Sequence, residues 1–170
     1  RPRPEFRETF RTLAASIQAT GAERQLRTLL VMSAYSKEGR TTTVLNLGAA
    51  LAENGARVLL VEADLRQPKL KQLLVAQNNY AVHDTEYFVQ NMLANVSAEE
   101  KSWQLRGIST KVNNVRLIPA QKLGRHESPP RLPELFPLLS QADVTDYIIL
   151  DSPPCLKYAD AFQVASLVDG

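Results

Sequence analysis

The chain has 170 residues and a mass of 18.9 kDa, enough for one ordinary domain and too little for two. A 44% hydrophobic and 22% charged composition excludes a disordered polyelectrolyte, and a net charge of +2, from 20 basic and 18 acidic residues, excludes a whole-molecule field for gripping nucleic acid. A single cysteine, Cys155, excludes a disulfide framework and fits a reducing compartment; no apolar run approaches the ~20 residues of a membrane-spanning helix. The start at Arg1 and the end at Gly170, just after an apolar stretch, read as those of a fragment.

In chain order, residues 4–19 form the first expected element. Phe6, Phe10, Leu13 and Ile17 make one apolar stripe at helical period, Pro4 suits the first turn and Gly21 the stop. The run 27–33 reads as a buried strand, 34–40 as a polar loop, and 41–54 as a helix ended by Gly55. A second buried strand covers 57–62. The polar stretch 66–113, which holds Trp103, is helix-prone over 69–76 and 85–95. Then come a strand at 115–118 closed by Pro119, a proline-rich loop over 121–133, a helix at 135–142, a strand at 146–151 and a helix at 159–167. Strands that alternate with helices and lack tight hairpin signals predict an α/β fold, a mostly parallel sheet with helices on both faces in three layers.

Three segments belong together. The first, from Ala34 to Thr42, lies between a strand and a helix. It approximates the phosphate-binding loop G-x-x-x-x-G-K-[ST], in which backbone amides and a lysine hold phosphate and a hydroxyl serves Mg²⁺. Gly39 and Thr41 are kept; Ala34 and Arg40 stand where the pattern has glycine and lysine. In the second, Glu62 and Asp64 end an apolar strand and point the same way if the extended conformation continues. In the third, Asp151 ends the apolar run 147–150 in the form of a Walker B carboxylate. Carboxylates at strand ends lie where ligands sit in doubly wound sheets. Each signal alone also fits a bland reading, a polar turn or a helix cap; their order at three strand ends points to a nucleotide site.

Taken together, these motifs resemble the cytoplasmic domain of the bacterial tyrosine kinases that control capsular and exopolysaccharide synthesis. That group lies in the deviant-Walker branch of P-loop proteins, near the MinD and ParA ATPases. Asn46, the Asp160-Ala161 pair and the Val168-Asp169-Gly170 run also fit the branch, and Tyr35, where MinD and ParA carry a signature lysine, favours the kinases. So does the run from Ala63 through Asp64, Leu65 and Arg66 to Pro68. The resemblance implies ATP or ADP on Ser36, Lys37, Glu38, Gly39, Arg40, Thr41 and Thr42, with Mg²⁺ on Thr41, Asp64 and Asp151. It implies catalytic roles for Arg40, Glu62 and Asp64. It divides the chain into an N-terminal helix, 1–20, with Glu8 and Arg11 in a homo-oligomer contact, and a kinase-like domain, 21–170, cut short at its C-terminus. It further implies a transmembrane polysaccharide co-polymerase as partner, fused or separate, and a location at the cytoplasmic face of the plasma membrane, with no nucleic acid and no insertion of this segment.

Departures fall on functional positions. Arg40 keeps a charge but changes its geometry, Glu62 is one methylene longer than the family's aspartate, and Ala14 replaces the last arginine of the Glu8-x-x-Arg11 assembly motif. Two readings stay open, a working or weak kinase and a pseudokinase scaffold that does not hydrolyse ATP; a MinD/ParA-type ATPase fits less well. Lys37 is either a substitute cation or a solvated side chain. His83 and His126 have no partners at metal-ligand spacing and read as surface residues, Cys155 as a structural thiol, and Arg125, His126 and Arg131 as a solvated basic loop. The tyrosines at 35, 80, 87, 147 and 158 are scattered, and none stands out as a phosphate acceptor.

Overall fold

Apolar runs flanked by helices assemble around one sheet in this computed structural model, which describes residues 4–76, 88–93, 107–124, 127, 131–142 and 145–170. Its elements are α1 (Pro4–Arg24), β1 (Thr28–Val31), α2 (Arg40–Glu53), β2 (Val58–Glu62), α3 (Leu70–Ala76), α4 (Val89–Leu93), β3 (Ile108–Ser109), β4 (Val115–Ile118), a 3-10 turn (Leu132–Leu135), α5 (Phe136–Leu139), β5 (Tyr147–Asp151) and α6 (Asp160–Ala165). The strand order is β1-β5-β2-β4-β3. All neighbours are parallel except β3 and β4, which are antiparallel.

Alternation along each strand divides the core in two. Val58 and Leu60 of β2, Val115 and Leu117 of β4 and Ile149 of β5 face one layer with Val44, Leu47 and Leu51 of α2 and Phe10 and Ala14 of α1. Leu59, Val61, Ile118, Ile148 and Leu150 face the other, with Met92 of α4, Leu135, Leu139 of α5 and Val164 of α6. The three-layer α/β expectation holds. Gly48 of α2 marks the closest approach of helix to sheet, since a Cβ there would lie 2.8 Å from Leu60 Cδ2.

Several boundaries differ from expectation. Helix α1 does not stop near Gly21 but runs through it to Arg24, and Gln25 at φ 55° ends it. Gly21 instead leaves room for the Tyr147 hydroxyl, 3.1 Å from where its Cβ would be. The short antiparallel strand β3 was not anticipated; Ile108 and Ser109 pair with Leu117 and Arg116 across a turn with Asn114 at φ 63°. The end of the loop expected over 121–133 is taken into the 3-10 turn, and the helices expected over 135–142 and 159–167 shorten to α5 and α6. Helix α4 lies within the expected 85–95. Tyr80, His83, Tyr87, Trp103, Arg125 and His126 lie outside the described residues. Among the described residues, no helix is long and apolar enough to cross a membrane.

Leu60, 1% exposed and facing α2, should be among the costliest positions to truncate. Leu60→Ala is expected to lower unfolding stability by about 3 kcal/mol, read from urea denaturation monitored by circular dichroism. A loss below about 1 kcal/mol would show that this layer repacks.

Candidate functional site

Parallel pairing brings three strand ends to one edge of the sheet. Asp151 ends β5, in register with Val31 of β1 on one side and Glu62 of β2 on the other. The chain leaving β1 crosses this edge and turns into α2. Lys37 (φ 71°) and Gly39 (φ 90°) both adopt left-handed backbone in that turn, the kind of conformation from which anion-binding nests are built. Gly39 caps α2, and the Thr43 amide donates to its carbonyl at 2.8 Å. The loop is braced from within: the Glu38 carboxylate accepts from the Tyr35 amide at 2.9 Å, and the Ser33 hydroxyl donates to the Tyr35 carbonyl at 3.0 Å.

Arg40, the first residue of α2, fills the centre. Its guanidinium donates from Nε to Asp151 Oδ1 at 2.7 Å, from Nη2 to Asp64 Oδ2 at 3.0 Å and from Nη1 to Ser33 Oγ at 2.8 Å. Side-chain exposure is 9% for Arg40, 5% for Asp64 and 1% for Asp151, so this is a buried charge cluster. Burial pushes the Asp151 carboxyl up from its ordinary pKa, against the pull of the Thr41 hydroxyl and the Arg40 guanidinium. Asp64 Oδ1 also accepts the Gln67 amide at 3.0 Å, which fixes the bend after β2.

Glu62 goes elsewhere. Strand β2 ends at Glu62, so the extended geometry that would align Glu62 with Asp64 does not continue. The longer Glu62 side chain instead accepts from the amides of Lys69 and Leu70 at the start of α3, the latter at 2.7 Å, and its Oε2 has no hydrogen-bond partner. Fully buried, its carboxyl is pushed up to about 7 by desolvation, which outweighs the lowering by the Leu70 and Lys69 amides. Two of the three residues that the resemblance makes catalytic, Arg40 and Asp64, therefore meet; the third secures the start of α3.

A pocket of about 180 Å³ opens beside the cluster, lined by Ser36, Lys37, Gly39, Arg40, Thr41 and Thr42. Glu38, occupied with the Tyr35 amide, is not part of the lining. Asp64, Gln67, Lys69 and Leu73 complete the wall, and Gln67, Lys69 and Leu73 were not singled out from sequence. The available signal was position: a helix-prone run that starts just after Asp64 must put its first residues at the same sheet edge. Glu8 and Arg11 lie far along the chain on α1. Arg11 pairs with Glu53 of α2 at 3.1 Å and with Glu8 at 3.6 Å, and Arg7 joins Glu53 at 2.7 Å.

The lining has the chemistry phosphate calls for: Ser36, Thr41 and Thr42 bring hydroxyls, and Lys37 and Lys69 bring ammonium groups. Mg²⁺ does not fit beside them. The two carboxylates it would draw on are both bonded to Arg40.

A mostly parallel sheet whose β1–α2 turn and the chain after β2 line a pocket, with the last residue of β5 bonded to the arginine in its wall, defines a P-loop NTPase-like domain. The sequence pattern of the AAA domain family matches residues 34–166, and the chain belongs to that family. It is 29% identical to tyrosine-protein kinase YwqD of Bacillus subtilis (strain 168), over 96% of this chain and 65% of that protein. It is 27% identical to succinoglycan biosynthesis transport protein ExoP of Rhizobium meliloti (strain 1021), over 99% of this chain and 21% of that protein. The structure of the kinase domain of Escherichia coli tyrosine kinase ETK superposes with a TM-score of 0.72 at 23% identity, over 94% of this chain and 59% of that one. The chain thus spans 65% of the first relative and 21% of the second. The resemblance to bacterial tyrosine kinases, read from the motifs, is borne out.

The raised Glu62 carboxyl makes a pH prediction. With its folded pKa near 7 and its unfolded value near 4.5, the folded state holds the proton more tightly. The group is therefore harmless below the unfolded value, and its ionisation costs stability as pH rises toward 7. Between pH 5.5 and 8 the wild type is expected to lose about 2 kcal/mol more than Glu62→Gln, measured by urea unfolding. Equal losses in the two proteins would mean that Glu62 is not held protonated.

Proposed function

We propose that this domain binds a nucleotide on its β1–α2 loop and uses that binding to regulate bacterial polysaccharide polymerisation and export, with its own tyrosine-phosphorylating capacity impaired. The observation that carries this reading is the Arg40 guanidinium spread across Asp64 and Asp151. Phosphoryl transfer needs a cation that follows charge onto the moving phosphoryl group and a metal on its oxygens. A planar guanidinium locked to two buried carboxylates is poorly suited to the first role and obstructs the second. Gly39, Thr41 and the neighbouring lysines support binding all the same.

The polysaccharide assignment draws support from the ExoP relative, whose name assigns it to succinoglycan biosynthesis and transport. On this reading the domain works at the cytoplasmic face of the membrane with a transmembrane polysaccharide co-polymerase, fused or separate. Glu8 and Arg11, half or more exposed on α1, would contribute to assembly from that helix. A scaffold that never turns ATP over is the second reading, and Arg40 favours it as well.

Labelled ATP and Mg²⁺ test the impairment. Transfer of the γ-phosphate to tyrosine by the wild type is expected to run about 10²-fold or more below that of Arg40→Lys, the scale of losing one transition-state charge contact. Tyrosine labelling by the wild type equal to that of the lysine variant would overturn the impairment.

A further inference from the structure

A P-loop site of the usual kind meets the charge of nucleotide phosphates with two mobile cations, a lysine and a hydrated Mg²⁺ held by carboxylates and a hydroxyl. In this chain those metal-drawing groups are already occupied. Asp151 Oδ1 takes Arg40 Nε, Asp64 Oδ2 takes Arg40 Nη2, Asp64 Oδ1 takes the Gln67 amide, and the Thr41 hydroxyl bonds Asp151. Mg²⁺ demands near-octahedral oxygen ligands at about 2.0–2.1 Å. It cannot reach both carboxylates while a guanidinium lies between them.

Resting on the nucleotide-binding reading above, we infer that the pocket holds the phosphates of a nucleoside di- or triphosphate without a divalent cation. Arg40 replaces the metal as the fixed cation on the two carboxylates, and Lys69, with Lys37, supplies the charge that meets the phosphates. Arg40 with Asp64 and Asp151 sums to −1, and the two lysines that line the pocket bring this group of charges to +1. Among the described residues neither lysine is paired with a carboxylate. They approach from two directions, Lys37 from the left-handed turn after β1 and Lys69 from the chain just ahead of α3. Lys69 is held there by its own backbone, whose amide donates to buried Glu62.

Calorimetric titration of ADP into the protein, once in EDTA and once in excess Mg²⁺, tests this directly. Binding is expected in EDTA, as tight as in Mg²⁺ or tighter, and Lys69→Ala should weaken it about tenfold in both buffers, the scale of one charge-assisted contact. Circular dichroism melts of the variant, together with Lys37→Ala as a second probe of the same charge, separate lost binding from lost folding. Binding by the wild type that needs Mg²⁺ overturns the inference and leaves the nucleotide reading standing. Silence in both buffers overturns the nucleotide reading itself. A Mn²⁺ titration followed by electron paramagnetic resonance then judges metal exclusion alone. No bound Mn²⁺ is expected in the wild type, with or without ADP, and uptake of one ion per chain overturns the exclusion.

Discussion

One buried contact organises this end of the molecule: the Arg40 guanidinium between the carboxylates of Asp64 and Asp151. Ionised groups are not stable in a protein interior unless paired and hydrogen-bonded. Each of these three charges therefore depends on backbone segments remote in sequence. Asp151 is placed by β5, which lies between β1 and β2. Asp64 is placed by the bend after β2, and Arg40 by a turn that needs left-handed backbone at Lys37 and Gly39. Removing the arginine would leave two carboxylates facing each other out of water, a situation that costs about 3–5 kcal/mol when a buried pair loses one partner. The cluster thus ties the β1–α2 loop to the sheet.

The same edge shows how a strand end separates two neighbouring carboxylates. Glu62 and Asp64 stand two apart, yet β2 ends between them: the Ala63 amide donates to the Asp151 carbonyl at 2.9 Å, and the chain then bends. A carboxylate on a longer stem reaches the first amides of α3, while the shorter Asp64 meets Arg40. Glu62 anchors the segment that carries Lys69 into the pocket wall, and its raised pKa is the consequence of reaching those amides from a fully dry position. A position that the resemblance makes catalytic holds the start of α3 in this structure, and it bears on the site through that backbone.

Much of this was legible in the sequence because burial on both faces of a parallel sheet leaves continuous apolar runs. The strands read at 57–62, 115–118 and 146–151 rest on their Val, Leu and Ile residues, with exposed Arg116 as a break within the second of the three. The meeting of the β1–α2 loop with Asp64 and Asp151 followed from their place at strand ends. What escaped was set by tertiary contact. Gly21 reads as a helix stop, and only the neighbouring Tyr147 hydroxyl explains a glycine within a continuing helix. Two-residue β3 has too little pattern to show a period. Lys69 looks like an ordinary surface lysine until α3 is seen to begin beside Asp64.

Helix α2 gives the sharpest example of local sequence that makes sense only in the assembled fold. The helix dipole favours acids at the N-terminus and bases at the C-terminus, by about 0.3–1 kcal/mol each. This helix does the reverse, beginning at Arg40 and ending at Glu53, with no acid in its first turn and no base in its last. Both misplaced charges are answered from outside the helix. Asp64 and Asp151 meet the arginine at one end, and Arg7 and Arg11 of α1 meet the glutamate at the other. The two ends differ in what that answer is worth. Glu53 and its arginines are 40–53% exposed, so solvent screens them and the packing of Phe10 and Ala14 does more to fix α1. Arg40 is buried, so its partners are obligatory. A wrong-signed residue at a helix end is thus a legible signal in its own right: it announces that a compensating charge lies across from it, and at the buried end that compensation occupies the groups a metal would otherwise claim.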